Sequence, residues 1–486
     1  MADQTDQPDQ LQRDALGLID IVFHGITHIA PALNVVFALP EIAAHAGAAM
    51  PLSLALALIV CFFISNTVAQ FSRYVPTSGG YYTFVSRGLG PRIGFVTTWS
   101  YLIYDIAGPA MAIGFLGFSS SSLLQSGTGV SISWWIISLT AVMIVWGFTY
   151  FGIRISTHAT AILGVFEMLI FLGIGVACLV YPAPESIASA PLDPSMAQNG
   201  WRGVLGGMVF SILALAGFEA PAPLAQETKR PTSFIYLAIF MSLVVVGVFD
   251  IFMAYASAIG WGTTHMETFT PNGEPYDVLV TNFWGPAGRW VLLFAIVNST
   301  LAVGISCTNA ASRVLYTMAL DGALPIALKR IHPTHKTPYI AVHVLQLLQM
   351  TCFLLVGILF GADKIFSCLG IIVALAAILL YVLSNCALTS FIRREHPADF
   401  NLLRHWIMPT AGTLFLIPVT VVTIWPVPGY PQYLMPYTFV ALMIAGVVVM
   451  KVLDVWWPEV LARRLSEENL VGDTPALEQR MKDGDA

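Results

Sequence analysis

Long apolar stretches separated by short polar turns run along nearly the whole chain. Each stretch is roughly 20 residues, the length needed to cross the hydrocarbon core of a bilayer as a helix. Twelve such stretches can be drawn, over 16–43, 51–72, 94–120, 132–152, 159–181, 203–227, 234–260, 286–319, 339–361, 364–392, 407–425 and 434–457. Two of them are interrupted at mid-depth. The first carries Gly25-Ile26-Thr27-His28-Ile29-Ala30-Pro31-Ala32, and the sixth carries Ala216-Gly217-Phe218-Glu219-Ala220-Pro221-Ala222. A bilayer core holds no water to satisfy free backbone groups, so a broken helix persists there only around a polar cavity. Two breaks at matching places in two halves mark a transporter's substrate site. Pro275 to Phe283, in an outer segment, predicts a short helix over the outer mouth.

Composition strengthens the membrane reading. Apolar residues make up 57% of the chain and charged ones 10%, with mean hydropathy +0.75. Lys and Arg set the orientation. With twelve spans and the N-terminus inside, 19 of the 22 basic residues fall on the cytoplasmic side, leaving Arg202, Arg289 and Lys364 outside. Both termini are therefore expected in the cytoplasm. The start, Met1 to Gln12, is acidic and lacks a basic n-region, so it does not read as a signal peptide. The net charge of −6 comes mainly from the two tails, and no basic, aromatic-laced patch suggests nucleic acid. The six cysteines fall inside predicted spans without a CxxC and read as small apolar residues. No GxxxxGK[ST] occurs, which disfavours ATP-driven transport. No compact Ser/His or His/Asp/Glu set near one membrane face suggests an enzyme.

Four further stretches carry a family resemblance. Ala15-Leu16-Gly17-Leu18-Ile19-Asp20 leads into the first broken span. Pro76-Thr77-Ser78-Gly79-Gly80-Tyr81-Tyr82 precedes Gly90-Pro91 and Gly94-Phe95. Gly217-Phe218-Glu219 runs on to Gln226-Glu227-Thr228-Lys229-Arg230-Pro231. Asn309-Ala310-Ala311-Ser312-Arg313-Val314-Leu315-Tyr316 precedes Asp321-Gly322-Ala323-Leu324-Pro325. In this order they resemble the amino acid–polyamine–organocation superfamily of permeases. The resemblance implies an all-α integral membrane protein with a LeuT-like core of two inverted five-helix repeats. It further implies two extra helices, broken helices one and six, and alternating access. The expected layout is a cytoplasmic tail over 1–14, a transport core over 15–395, two additional spans over 396–460 and a cytoplasmic tail over 461–486. The expected location is the inner or plasma membrane, as a monomer or homodimer in the lipid bilayer.

The chain departs from the family in the first break. Many relatives have a Gly-Ser-Gly-like run whose bare backbone grips a substrate carboxylate; here Thr27, His28, Ile29, Ala30, Pro31 and Ala32 stand there. Half-helix N-termini still favour an anion. Some amine permeases resemble this chain in having Ala-Pro or Thr-Pro at this place, which keeps an amine substrate in play. With Tyr104, Asp105, Ala216, Gly217 and Phe218, these six residues form the expected substrate site.

Four acids lie well inside predicted spans: Asp105, Glu167, Glu219 and Asp250. An unpartnered acid at the helix centre costs at least ~2.5 kcal/mol, so each should pair, be protonated or face the interior. The resemblance links the position of Glu219 to proton coupling or gating. Asp105 could neutralise a substrate amine, carry a proton, or simply bond a neighbouring tyrosine. Glu167 stands near where some proton-driven relatives have a lysine, and a carboxylate there suits a proton or cation. Asp250 reads as structural. Ser306 and Thr308 could supply hydroxyls to a sodium site, or bond their own helix; a proton is preferred over sodium as coupling ion. His24 and His28 have a spacing that can bind zinc, but the helix is expected to unwind between them and no other ligand is near in sequence. Neither metal nor cofactor is expected. Tyr81, Tyr82, Trp134, Trp135, Trp425, Trp456 and Trp457 fall near span ends and read as interfacial anchors.

The sequence thus predicts a secondary carrier for an amino acid, driven by protons. The rivals are a carrier for a polyamine or other organic cation, a channel, and a membrane sensor that binds ligand without moving it.

Overall fold

The computed structural model describes residues 11–270, 274–425 and 429–456. Residues 1–10 and 457–486, hence most of the expected tails and Trp457, lie outside the described residues. Among those described the chain is helical, without a strand; one isolated parallel bridge joins Leu16 to Thr228.

The principal helices are α1 (Leu18–Ile29), α2 (Leu39–Ala46), α3 (Met50–Tyr74), α4 (Tyr81–Leu89), α5 (Pro91–Thr128), α6 (Trp134–Tyr150), α7 (Ile153–Val180), α8 (Trp201–Leu215), α9 (Pro231–Trp261), α10 (Pro275–Trp284), α11 (Pro286–Leu320), α12 (Tyr339–Phe360), α13 (Ile365–Glu395), α14 (Met408–Ile424) and α15 (Met435–Trp456). Proline opens α5, α9, α10 and α11, where its fixed φ suits a first helical turn and its missing N–H costs nothing. Arg393 and Arg394 close α13, where cations meet the negative end of the helix.

Among the described residues seven helical stretches are long and apolar enough to cross a membrane, and α6, α8 and Gly164–Val180 are shorter apolar helices. Burial sorts them. The apolar part of Gln432–Leu453 is 22% buried, against 72% for Pro286–Leu320. The chain therefore places α15 at the rim, with Val440, Ile444 and Val448 facing outward, and α11 at the centre. An apolar outer face of this kind is matched to lipid, not water. Inside, α1 packs on α7, α9 and α11; α5 packs on α11 and α13; α3 packs on α8 and α9. The first interrupted segment thus sits in the middle of the bundle.

The short helix predicted around Pro275 to Phe283 is present as α10. Two anchor readings are corrected. Tyr81 and Tyr82 are only 3% exposed, because α4 lies against α5 and α13 and turns these rings inward, Tyr81 against Tyr101 and Phe84. Trp135 and Trp425 are exposed as expected.

Candidate functional site

The first break is tighter than its sequence suggests. Helix α1 runs unbroken through Gly25 to Ile29, and only Ala30 turns left-handed, with φ 60°. Pro31 then restarts the helix, which widens into a π turn at Asn34–Ala38 before α2. The expectation that the helix unwinds between His24 and His28 is therefore wrong. A single left-handed residue suffices for the break, and both histidines stay on one helical face toward Ser306.

The second break is wider. Helix α8 ends at Leu215, Ala216 is extended, and Gly217 takes φ 114°, a region side chains rarely adopt. A run of turns follows to the short 3-10 helix Ala222–Glu227. The two breaks touch. A Cβ on Gly217 would lie 2.6 Å from Cδ2 of the His28 ring.

A carboxylate caps each break. Glu167, on α7, accepts hydrogen bonds from Asn298 Nδ2 at 2.9 Å and from Ser299 Oγ at 3.2 Å, and faces the backbone of Ala32 at the restart of the helix. Glu219 accepts from the Gly217 amide at 3.2 Å and from the Tyr381 hydroxyl at 3.2 Å. Helix N-termini leave orphan N–H groups, and inside a bilayer they must find partners in the protein. Pro31 has no N–H and the Ala32 amide faces the Glu167 carboxylate, so the restarted helix offers a substrate carboxylate less than the sequence implied.

Asp105 does not bond a neighbouring tyrosine at ordinary geometry; its Oδ1 stands 3.4 Å from His28 Nε2. Asp250 accepts from Asn34 Nδ2 at 3.0 Å, and the same amide group donates to the Ala214 carbonyl at 2.8 Å. This pins the π turn to the end of α8, in keeping with a structural reading. Ser306 and Thr308 diverge, as residues two apart on a helix must. Ser306 meets His24 and His28, whereas Thr308 accepts from Gln346 and Gln349 on α12. They do not share a cation site.

A cavity of about 90 Å³ opens at the first break. A water needs ~15 Å³ by the same measure, so this is room for about six. Of the expected substrate residues, His28, Ile29, Ala30, Tyr104 and Ala216 line it. Asp105 and Gly217 stand behind that wall against His28. Thr27 turns its hydroxyl back onto the Phe23 and His24 carbonyls. Pro31 and Ala32 are buried off the cavity, and Phe218 stacks on Tyr381 at 5.6 Å instead of covering it. Sequence reasoning missed Leu33, Met111, Phe210, Val303, Phe366 and Val373, which supply most of an apolar wall. Nothing in one chain distinguishes these from other apolar residues in spans.

At the N-terminal end of α1 the two broken segments are tied together. The Leu16 amide donates to the Glu227 carbonyl at 2.9 Å, and the Lys229 amide to the Leu16 carbonyl at 3.1 Å. Arg313 Nε donates to Glu227 Oε2 at 2.8 Å, with both side chains fully buried.

Comparison with known proteins places this arrangement. The pattern of the protein family described as "Amino acid permease" matches residues 16–449. A branched-chain amino acid permease of Bacillus subtilis, BcaP, is 28% identical over 320 residues, covering 62% of this chain and 66%, just under two thirds, of that relative. A glutamate/serine transporter of the same organism, AimA, is 24% identical over 60% of this chain and 57% of its own. A low-affinity putrescine importer of Escherichia coli, PlaP, is 22% identical over 67% of this chain and 71% of its own.

Proposed function

We propose, from the premise that this chain belongs to the amino acid permease family of the amino acid–polyamine–organocation superfamily, that it carries a small neutral amino acid with an apolar side chain across the cell membrane. Membership of that family makes the chain a multi-pass membrane permease and not an enzyme. The observation that carries the substrate class is the cavity wall. Leu33, Met111, Phe210, Val303, Phe366 and Val373 offer an aliphatic group a dry surface, with His28 and Tyr104 at one side. Similarity to the branched-chain permease BcaP points the same way. The C-terminal ends of α1 and α8 both reach this wall at Ile29, Ala30, Ala214 and Ala216. Their carbonyls and dipoles favour a substrate ammonium there. The substrate carboxylate then turns toward His28.

The carrier in this reading has twelve crossings with both termini cytoplasmic. A ten-helix inverted-repeat core spans 15–395, and two further helices span 396–460. The matching positions of the two breaks support the repeat. Protons drive the cycle, with Glu219 as the coupling carboxylate at the second break and Glu167 supporting the first. The amine alternative rests on similarity to the putrescine importer PlaP and on Asp105. It is weakened because that carboxylate faces His28 instead of lining the cavity.

The test is uptake of leucine, valine, alanine, serine and putrescine into proteoliposomes, with and without an outside-acid pH gradient. Saturable leucine or valine uptake that rises with the gradient is expected. Uptake of putrescine alone would transfer the assignment to amines. Uptake of none, in vesicles holding folded protein, would sink the carrier reading.

A further inference from the structure

One cluster at the cavity wall is left unused by transport alone. His28 Nε2, Asp105 Oδ1 and Cys307 Sγ converge from α1, α5 and α11, all within 4.8 Å of one another. His28 Nε2 is 3.4 Å from Asp105 Oδ1 and 3.5 Å from Cys307 Sγ. The residues are 4%, 0% and 3% exposed. Neither Asp105 oxygen has a hydrogen-bond partner of ordinary geometry among the described residues, which is costly for a buried carboxylate.

We propose that these three side chains form a binding site for a tetrahedral divalent metal ion of the zinc class, and that the bound ion arrests transport. The spacing fits. With metal–N and metal–O distances of about 2.1 Å and metal–S of about 2.3 Å, the edges of a tetrahedron are about 3.4 Å between N and O and about 3.6 Å between N and S. The observed 3.4 and 3.5 Å edges match these two, and the third, from Asp105 to Cys307 Sγ, lies within 4.8 Å. Donor chemistry fits as well: one imidazole, one thiolate and one carboxylate are a zinc-type set, and the two anions cancel the charge of the ion in a low-dielectric interior.

The neighbours of the ring orient it. Ser306 Oγ donates to the His24 carbonyl at 3.0 Å, which leaves its lone pairs for the Nδ1–H of His28 at 3.2 Å. A neutral His28 bonded in this way turns the lone pair of Nε2 toward Asp105 and Cys307. A hydroxyl or carbonyl on the far ring nitrogen is the usual support for a ligating histidine. On binding, the Cys307 S–H bond breaks as the S–metal bond forms, and the proton leaves to water through the cavity. His28 and Cys307 both line that cavity, so the fourth corner is open to water or to a substrate carboxylate.

The three ligands sit on three different helices, one of them the turn before Ala30. An ion joining them staples the break to α5 and α11 and opposes the movement a transport cycle needs. Binding stands whatever the substrate is; only the arrest rests on the cavity being the substrate site.

The probe is Co2+ titrated into the purified protein in detergent. One equivalent is expected to give a thiolate-to-cobalt charge-transfer band and tetrahedral visible bands, both displaced by Zn2+. The band should vanish in Cys307→Ser and persist in Cys386→Ser. Asp105→Asn should weaken binding by at least ~10-fold, the scale that even outer-shell partners reach. X-ray absorption of the zinc-loaded wild type, which needs no variant, should show one sulfur among lighter ligands. In proteoliposomes Zn2+ should stop uptake, and a chelator should restore it. Absence of a thiolate band, its survival in Cys307→Ser, or zinc with no sulfur neighbour would overturn the proposal, leaving a His28–Asp105 ion pair. A protein that binds the ion but carries no apolar amino acid would overturn the substrate reading alone.

Discussion

The two breaks solve one problem in opposite ways. At the first, a single left-handed alanine interrupts the helix, and its cap, Glu167, comes from 135 residues away on α7 with Asn298 and Ser299 beside it. At the second, a glycine opens a longer unwound stretch, and the cap is Glu219, two residues further along the same turn. A cap supplied by a distant helix holds that helix in place; a cap supplied locally leaves the turn free to move as a unit. We infer a fixed wall at the first break and a moving part at the second, whose turn is held from outside through Tyr381 on α13. The two segments are joined to each other by the Leu16–Thr228 bridge, beside the buried Glu227–Arg313 pair.

The strongest way to break that arrangement is to remove the clamp. Arg313→Ala leaves Glu227 buried without its bidentate partner, a change that costs about 3–5 kcal/mol. A lower melting temperature in detergent is expected, with partial recovery in the Glu227→Gln, Arg313→Met double variant. A melting temperature equal to wild type would show that the pair does not hold the two segments together. Next comes Gly217→Ala. Its φ of 114° is strained for any side chain, by about 1–3 kcal/mol, and its Cβ would strike the His28 ring. Displacement of about 1 Å at a binding centre can lower a rate by ~10²-fold, and initial uptake rates should fall on that scale. Normal uptake would mean that the breaks do not need their contact.

What could be read in advance follows the same division between local and distant. The helical spans and the short helix α10 were legible because apolar runs and Pro punctuation are local signals. So was the second break, where glycine, cap and proline lie within five residues. The exact site of the first break was not, since the run from Gly25 to Ala32 holds both a glycine and a proline and no local rule singles out Ala30. Pro31 was the true signal, as the first residue of a restarted helix. The partners of Glu167, Asp105 and Asp250 were invisible, because each lies on another helix. Tyr81 and Tyr82 were misread because position at a span end does not say which way a short helix turns its face.

A paired substitution sharpens the contrast between the two caps. In Glu167→Gln one acceptor oxygen replaces two where Asn298 and Ser299 each donate to a separate oxygen, and a drop of about 1–3 kcal/mol is expected. In Glu219→Gln the amide oxygen can still accept from Gly217 while its NH2 donates to the Tyr381 hydroxyl, so stability should hardly change. That variant separates charge from structure: uptake down a substrate gradient should persist while stimulation by the pH gradient disappears. Stimulation surviving in Glu219→Gln would remove Glu219 from the coupling role.

The smallest effect expected is at Ala30, and its sign is the informative part. Alanine in the left-handed region costs roughly 1–2 kcal/mol, and Ala30→Gly removes that strain. Glycine also widens the unfolded ensemble, by about 0.4–1 kcal/mol, so the net gain should be at most ~1.6 kcal/mol. Ala30 lines the cavity, so its methyl group is also lost from the wall. If the first break is a fixed wall, slight relaxation there should move the melting temperature up a little and KM by no more than about threefold. A large fall in uptake with an unchanged melting temperature would mean that the strain at Ala30 is released during transport. The first break would then move as the second does, and the distinction between wall and moving part would fail.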